Sequence, residues 1–415
     1  MKRIFALTMM TLCLAATAWA EVGDGDNGDS GSTDFAKMYN PVQTATISLG
    51  VAPDARAGAM GDIGAATDPD ENSQYWNPAK YAFAYSRGGI SLNYTPWLRK
   101  LVSGINMAYV SGYWKFGYYD NQAISASMRY FSLGEVEVWQ TNGEQSGVVQ
   151  VINPMEMAVD LGYSRQLSDN FSMGVVMRYI HSDMTYDDGD NEPANTWAAD
   201  IAAYYTAYPQ IGYNECQWSW GANLSNVGGK ISYDGNATSQ FLPCNFRLGT
   251  SFTFPLDDYN LMSFSFDANK LLVPTFPQSR EFIGEDGQVD QEKFEAAKKN
   301  YYDMSGIKGL FKSFNDAPGG GLEEFHEINW GLGVEYTYDR RFYLRAGYHY
   351  ENEYKGDRKY FTFGAGVVLN VFHIDAGYVM STAQTSALDQ TLRFSLGFDL
   401  EGIRDLMGGS NKRRR

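Results

Sequence analysis

The chain is poor in the residues from which most enzyme and metal sites are built. It holds three cysteines and four histidines in 415 residues, and charged residues make up only 20%. No CxxC pair and no histidine cluster is present, so nothing points to a metal centre. No apolar run is long enough for a membrane-crossing helix, which excludes a helical membrane protein. Basic residues are outnumbered, 33 Lys+Arg against 49 Asp+Glu, so nucleic acid is excluded as a partner by charge. What the chain has in excess is aromatic side chains (29 Tyr, 24 Phe, 9 Trp) and 43 glycines. That mixture suits strands rather than a helical bundle.

The start reads as a secretory leader. Lys2 and Arg3 precede the short apolar stretch Ile4 to Thr17, and Ala18-Trp19-Ala20 gives a small-x-small cleavage site, so residues 1–20 are expected to be removed. Of the cysteines, Cys216 and Cys244 then remain; in an oxidising compartment they could pair, or stay as two buried thiols. Residues 21–40 open with an acidic, Gly-rich stretch that has too little apolar surface to offset its ordering entropy, and a flexible segment is expected there. Its Asp/Gly/Asn spacing lacks the terminal bidentate Glu of a calcium loop.

From about Arg87 to Leu400 the chain alternates with a period of two. Phe171, Met173, Val175, Met177 and Tyr179 interleave with Ser172, Gly174, Val176, Arg178 and Ile180, and Leu392 to Leu400 repeats the pattern. One face is apolar and aromatic. The other carries Gly, Ser, Arg, Asp and His, which fits an enclosed polar lumen better than the Lys- and Glu-rich outer face of a soluble sandwich. Fourteen strands are expected, beginning near Gly89, Ile105, Ala123, Met155, Phe171, Thr196, Cys216, Asn245, Leu261, Glu327, Phe342, Tyr360, Phe372 and Thr391. Connections after even-numbered strands are short and those after odd-numbered strands mostly long, the rim asymmetry of an outer-membrane barrel. The longest loop, 273–326, carries a helical pattern from Asp290 to Lys312. A basic tail ends the segment 401–415, expected in the periplasm.

Before the barrel, within 41–86, lies a run of small residues, Ala52-Pro53-Asp54-Ala55-Arg56-Ala57-Gly58-Ala59-Met60-Gly61-Asp62, followed by Asn72-Ser73-Gln74-Tyr75-Trp76-Asn77-Pro78-Ala79-Lys80. Small residues suit a plug packed inside a barrel. No strand-turn-helix frame accompanies the glycines, so this is not a phosphate loop. The paired motif, carried by Asp54, Arg56, Gly58, Gly61, Asp62, Trp76, Asn77, Pro78 and Ala79, resembles the start of the PorV family of type IX secretion proteins, within the wider superfamily of FadL-like barrels. The resemblance implies an all-β fold: a 14-stranded antiparallel transmembrane barrel in the cell outer membrane, at 87–400, behind a short plug. It implies a non-enzymatic carrier that needs no cofactor. Its partners would be the giant translocon barrel, cargo bearing a C-terminal signal domain, the sortase-like surface attachment complex and outer-membrane lipid.

Two sets of residues follow as functional candidates. On the long loops, Trp139 with Glu135 and Glu137, Tyr186 to Asp190, Tyr233, Tyr301 and Phe311 could meet a protein partner, or simply be solvated. In the lumen, Arg178, Arg247, Arg345 and Arg393 fall on inward positions, with Asp267, Asp375 and Asp399 as possible partners. A FadL-like channel for hydrophobic molecules would set an apolar pocket beside such an arginine, whereas a salt-bridge network would leave the lumen polar throughout. His373, Asp375 and Ser395 share the inward face, but no nucleophile-elbow sequence marks Ser395.

Overall fold

Alternating side chains become a wall because each strand pairs with the next in sequence and the last returns to the first. The computed structural model describes residues 39–97, 104–142, 145–184, 192–234, 238–284, 288–382 and 390–407. The leader, nearly all of the acidic segment, Tyr186 to Asp190 and the basic end of the tail lie outside the described residues.

Fourteen antiparallel strands form a closed barrel. They are β1 (Gly88–Pro96), β2 (Ile105–Phe116), β3 (Gln122–Leu133), β4 (Met155–Ser168), β5 (Phe171–Asp183), β6 (Ala194–Ala207), β7 (Gln217–Gly228), β8 (Asn245–Pro255), β9 (Asn260–Leu271), β10 (Ile328–Tyr338), β11 (Phe342–Tyr350), β12 (Lys359–Leu369), β13 (Phe372–Ser381) and β14 (Leu392–Asp399). Closure runs from Gly89 opposite Asp399 to Tyr94 opposite Phe394. Each strand starts within two residues of its expected position, because alternation reports a half-buried strand directly.

The pleat separates two solvents. On β1, Ile90, Leu92 and Tyr94 are exposed on the outer wall while Ser91, Asn93 and Thr95 are buried inside. On β5, Met173, Val175 and Met177 face out, and Ser172, Arg178 and Ile180 face in. A basic side chain on the lipid face near the bilayer midplane costs about 2–4 kcal/mol, so the arginines belong in the lumen. The chain is an outer-membrane β-barrel.

The two rims differ. Asp169-Asn170 and Asn370-Val371 are whole connections on one rim. On the other, the β9–β10 connection folds into α-helices at Gln291–Asp303, Gly306–Lys312 and Gly321–His326. The β3–β4 connection holds a hairpin, Val136–Asn142 against Gln145–Ile152, that alternation did not separate from loop. Glu327 ties the long β9–β10 loop to the wall: its carboxylate takes Lys270 at 2.6 Å and Lys355 at 3.1 Å, and these lysines also reach Glu324 and Glu323.

Cys216 and Cys244 are both buried, and they form no disulfide. Cys216 precedes Gln217, which lies opposite Thr253, and Cys244 precedes Asn245, which lies opposite Ser225. Antiparallel neighbours begin at opposite rims, so the two thiols are separated by nearly a full strand length, far beyond the ~7 Å Cα separation a disulfide tolerates.

Candidate functional site

Residues 40–87 form no barrel strand; they enter the lumen and are fastened to the wall around nearly its whole circumference. At the first fastening, a one-turn helix at Ala55–Gly58 is capped by Asp54, whose carboxylate accepts from Ala57 N at 2.9 Å. Its other oxygen accepts from Trp76 Nε1 at 2.6 Å. Arg56 forks onto the β10 carboxylate of Glu335 at 3.1 and 3.2 Å and reaches Asp70 at 3.0 Å. Ser395 on β14 accepts from Ala55 N at 2.8 Å.

The glycines make the next contacts. Gly61 sits at φ +78° and donates its N–H to Thr362 on β12 at 2.8 Å. Asp62 holds Arg393 and Tyr360. One oxygen of Asp267 on β9 accepts from Gly64 N at 2.8 Å and Ala65 N at 2.9 Å. A Cβ at Gly58 would fall 2.1 Å from the Arg393 guanidinium, so a larger residue there would make the arginine shift.

The Asn-Pro-Ala element closes the plug. Asn77 donates to Ala65 O at 2.8 Å and Ala203 O at 2.9 Å, while its own oxygen accepts from Ala79 N at 3.1 Å. Pro78, lacking an N–H, opens the 3-10 turn at Pro78–Phe83. Ser172 on β5 donates to Ala79 O at 2.7 Å. Lys80, fully buried, donates to Gly64 O at 2.9 Å and Thr67 Oγ1 at 3.1 Å. All nine motif residues thus lie in one plug.

The inward arginines are part of the same construction. Arg345 bridges Glu335 at 2.5 Å and Asp375 at 2.6 Å. Arg178 pairs with Asp160 at 2.7 Å and Asp200 at 2.9 Å, carboxylates the sequence reading did not single out. Each stands alone among apolar neighbours (Ala-Val-Asp-Leu-Gly, Ala-Ala-Asp-Ile-Ala), and that isolation was the available signal. Arg247 donates from Nε to Asn269 at 2.8 Å and lies 4.5 Å over the Trp76 ring. Asp399 pairs with none of these arginines. It ends β14 and caps the helix at Leu400–Leu406, accepting from Glu401 N at 3.0 Å. His373 stands 3.6 Å from both Glu71 and Asp375, while Ser395 is committed to the plug amide and Asn93, so the three do not form a hydrolytic triad.

Among the described residues, two large cavities lie on either side of the plug and share no lining residue. One, about 720 Å³, lies toward the short-turn rim among Arg56, Asp68, Asp70, Glu71, Arg345, His373 and Asp375. The other, about 660 Å³, lies toward the long-loop rim, where Val42, Leu49, Val51, Trp97 and Leu271 meet Asn245, Arg247, Asn329 and His349. On the long loops, Tyr301 is buried against Phe241 and Phe276, both at 5.1 Å between ring centres, so it forms the core of the cap. Tyr233 is half-buried with its hydroxyl 2.8 Å from Ser182 Oγ, and Phe311 is exposed. Trp139 falls on a described hairpin strand, but its side chain lies outside the described residues, as does all of Tyr186.

Within the plug, burial and neighbouring Asp70 push Asp54 up to about 6 from an ordinary 3.8. Burial pushes Glu71 up to about 7 from 4.5, against the opposing pull of His373. Burial also acts to raise Asp62 and Asp70, but Arg393 and Arg56 beside them hold both below the usual range. A carboxyl with a raised folded pKa binds more protons folded than unfolded, so its contribution to stability is lost as pH rises from the unfolded to the folded value. Over the window from 3.8 to about 7 set by Asp54 and Glu71, stability should fall with pH and then level off. In detergent, the thermal midpoint should be higher at about pH 5 than at about pH 8, and Asp54→Asn with Glu71→Gln should flatten the slope. A slope unchanged in the double variant would contradict this origin.

The profile of the family described as Type IX secretion system protein PorV matches residues 34–278, more than half of the 415-residue chain. The chain belongs to the PorV family. The match spans the whole plug and the barrel through β9. Among curated proteins, none matches the sequence. Among solved structures, this PorV-family chain is similar to the toluene transporter TbuX of Ralstonia pickettii, at 14% identity and TM-score 0.44 over 83% of this chain and 96% of that one. It is also similar to the toluene transporter TodX of Pseudomonas putida, at 10% identity and TM-score 0.45 over 83% and 96%. A FadL homologue of Pseudomonas aeruginosa gives 11% identity and TM-score 0.42 over 87% and 99%.

Proposed function

We propose that this PorV-family barrel is a carrier and accessory subunit of type IX protein secretion. It receives cargo bearing a C-terminal signal domain at the giant translocon barrel and delivers it to the sortase-like attachment complex at the cell surface. Family membership carries this reading, and the plugged lumen supports it. Latches from Arg56, Asp62, Ala65 and Asn77 to four different strands hold the plug across the lumen, which favours a folded domain being met from outside. In this reading the long-loop rim faces the exterior, the leader at 1–20 is removed and residues 401–415 stay in the periplasm. The ordered cap then supplies contact area with little further entropy loss, as rigid aromatic loops do. The rival, a channel for hydrophobic molecules, asks for a continuous apolar route, and the short-turn cavity sets the charge pairs Arg56–Glu335 and Arg345–Asp375 among its tyrosines and prolines. Deleting the gene should strand signal-bearing cargo in the periplasm while other barrels assemble normally. Gentle affinity purification should co-elute the giant barrel or cargo. Undiminished surface display of all such cargo in the deletion strain would reject the role.

A further inference from the structure

Arg247 is one of two buried inward arginines with no carboxylate partner among the described residues; the other, Arg129 on β3, is satisfied by the plug carbonyls of Ser48 and Val51. Arg247 is 93% buried on β8 by its 7% exposure, yet no described carboxylate lies within ion-pair distance of it. Its contacts are neutral: Asn269 Oδ1 at 2.8 Å, Trp76 O at 3.4 Å, and the faces of Trp76 and Tyr75 at 4.5 and 5.4 Å. Asp267, two residues along the neighbouring strand, gives one oxygen to the plug amides; its other oxygen has no hydrogen-bond partner and makes no ion pair with Arg247. A buried guanidinium in this state is costly unless something anionic completes it. By contrast Arg56, Arg178, Arg345 and Arg393 each hold at least one carboxylate.

The amides around it are also incomplete, and their orientations are fixed by their partners. Arg247 can only donate, so Asn269 presents its oxygen, and Asn245 must turn its NH₂ toward that oxygen at 3.4 Å. Glu351 accepts at 3.2 Å, so Asn329 turns its NH₂ there. The oxygens of Asn245 and Asn329, and Nε2 of His349, are then buried with no partner. Asn245, Arg247, Asn269, Asn329 and His349 all line the long-loop cavity of about 660 Å³, within the roughly 300–1,000 Å³ range of small-ligand sites.

We propose that this cavity binds the C-terminal carboxylate of a polypeptide on Arg247, with the backbone N–H groups of that chain end donating to Asn245 and Asn329. The choice between carboxylate sources follows from the free oxygens. An alkyl carboxylate has no N–H and would leave both amides buried and unpaired, whereas an extended peptide satisfies them and lays its side chains on Leu49, Val51 and Leu271. The inference rests on the carrier reading and sharpens it: the cargo would be gripped by its last residues as well as by its folded surface.

The test uses the purified full-length barrel in detergent and a fluorescent peptide of the last ten residues of a signal-bearing cargo from the same organism. The peptide is prepared as free acid and as C-terminal amide, with oleate as competitor. The free acid should bind, and amidation should weaken it by about tenfold, the loss of a charge-assisted pair. Arg247→Met should cost the free acid a similar factor and erase the acid–amide difference. Asn245→Asp gives Arg247 an internal counter-ion without touching the plug and should do the same, with native barrel migration confirming the fold of each variant. Equal binding of acid and amide, or a difference that survives in both variants, overturns the site. Oleate binding more tightly than the peptide and displacing it overturns the polypeptide assignment. Intact cargo that co-elutes while the acid–amide difference is absent removes the site and leaves the carrier standing. Failure of any cargo to co-elute removes both.

Discussion

Gly221→Ala is expected to unseat the plug while leaving the barrel closed. Gly221 is an inward position of β7, and a Cβ built there lies 1.8 Å from Ala65 O and 2.8 Å from Asn77 Nδ2. Those two atoms are the donor and acceptor of the hydrogen bond that closes the Asn-Pro-Ala element. The obstruction is backbone, which cannot rotate away as a side-chain tip can. Overpacking of this kind costs about 1–3 kcal/mol, and the lost latch adds about 1 kcal/mol. Gly347→Ala should act similarly from the far wall, where the new Cβ would lie 2.2 Å from Gly61 N. The outer face of the barrel is untouched by either change. Trypsin reports the difference. Lys80 is 1% exposed and should resist cleavage in the wild type, but should be cut in both variants, with the barrel fragment still migrating as a folded species. Uncleaved Lys80 in both variants would mean that the plug does not depend on those close approaches.

Glu335→Ala should give the largest loss of thermal stability among single inward substitutions. Glu335 lies between Arg56 of the plug and Arg345 of the wall, and Arg345 continues to Asp375 on β13. Removing the central carboxylate leaves two buried guanidiniums sharing one carboxylate each, Asp70 and Asp375. Breaking a buried ion network by deleting one partner typically costs about 3–5 kcal/mol. Glu335→Gln retains a hydrogen-bonding oxygen and should cost less. The contribution of the plug itself is isolated by a double-mutant cycle with Arg56→Met, where a coupling of about 0.5–3 kcal/mol is expected for residues in one network. The measurement is the temperature at which the detergent-solubilised barrel shifts to unfolded migration. Identical temperatures for wild type and Glu335→Ala would show that the network adds nothing to the fold.

The strands were legible in the sequence because the signal is local. Whether Met173 faces lipid and Ser172 faces in depends on the pleat alone, and so does the inward placement of Arg178 and Arg345. What each arginine touches is a different kind of fact. Arg178 meets Asp160 and Asp200 only because β4 and β6 flank β5 in one register. Asp399 was a plausible lumen partner by alternation, yet the end of β14 turns it into a helix cap. The cysteines failed for the same reason, since nearness of strands along the chain does not say at which rim each one begins.

By itself the sequence determined the wall: alternation, rim asymmetry and the small-residue motif dictated an outer-membrane barrel with fourteen strands and a segment inside it. Each of those signals is read along the chain, from neighbouring residues or from the lengths of successive connections. Only the tertiary structure decided how the interior is filled, because a plug residue such as Asp62 finds Arg393 across 331 positions of chain. It also decided which arginines are left without a carboxylate. Arg247 looks no different from its companions in the sequence, and only closure of the barrel shows that no carboxylate comes within ion-pair distance of it among the described residues.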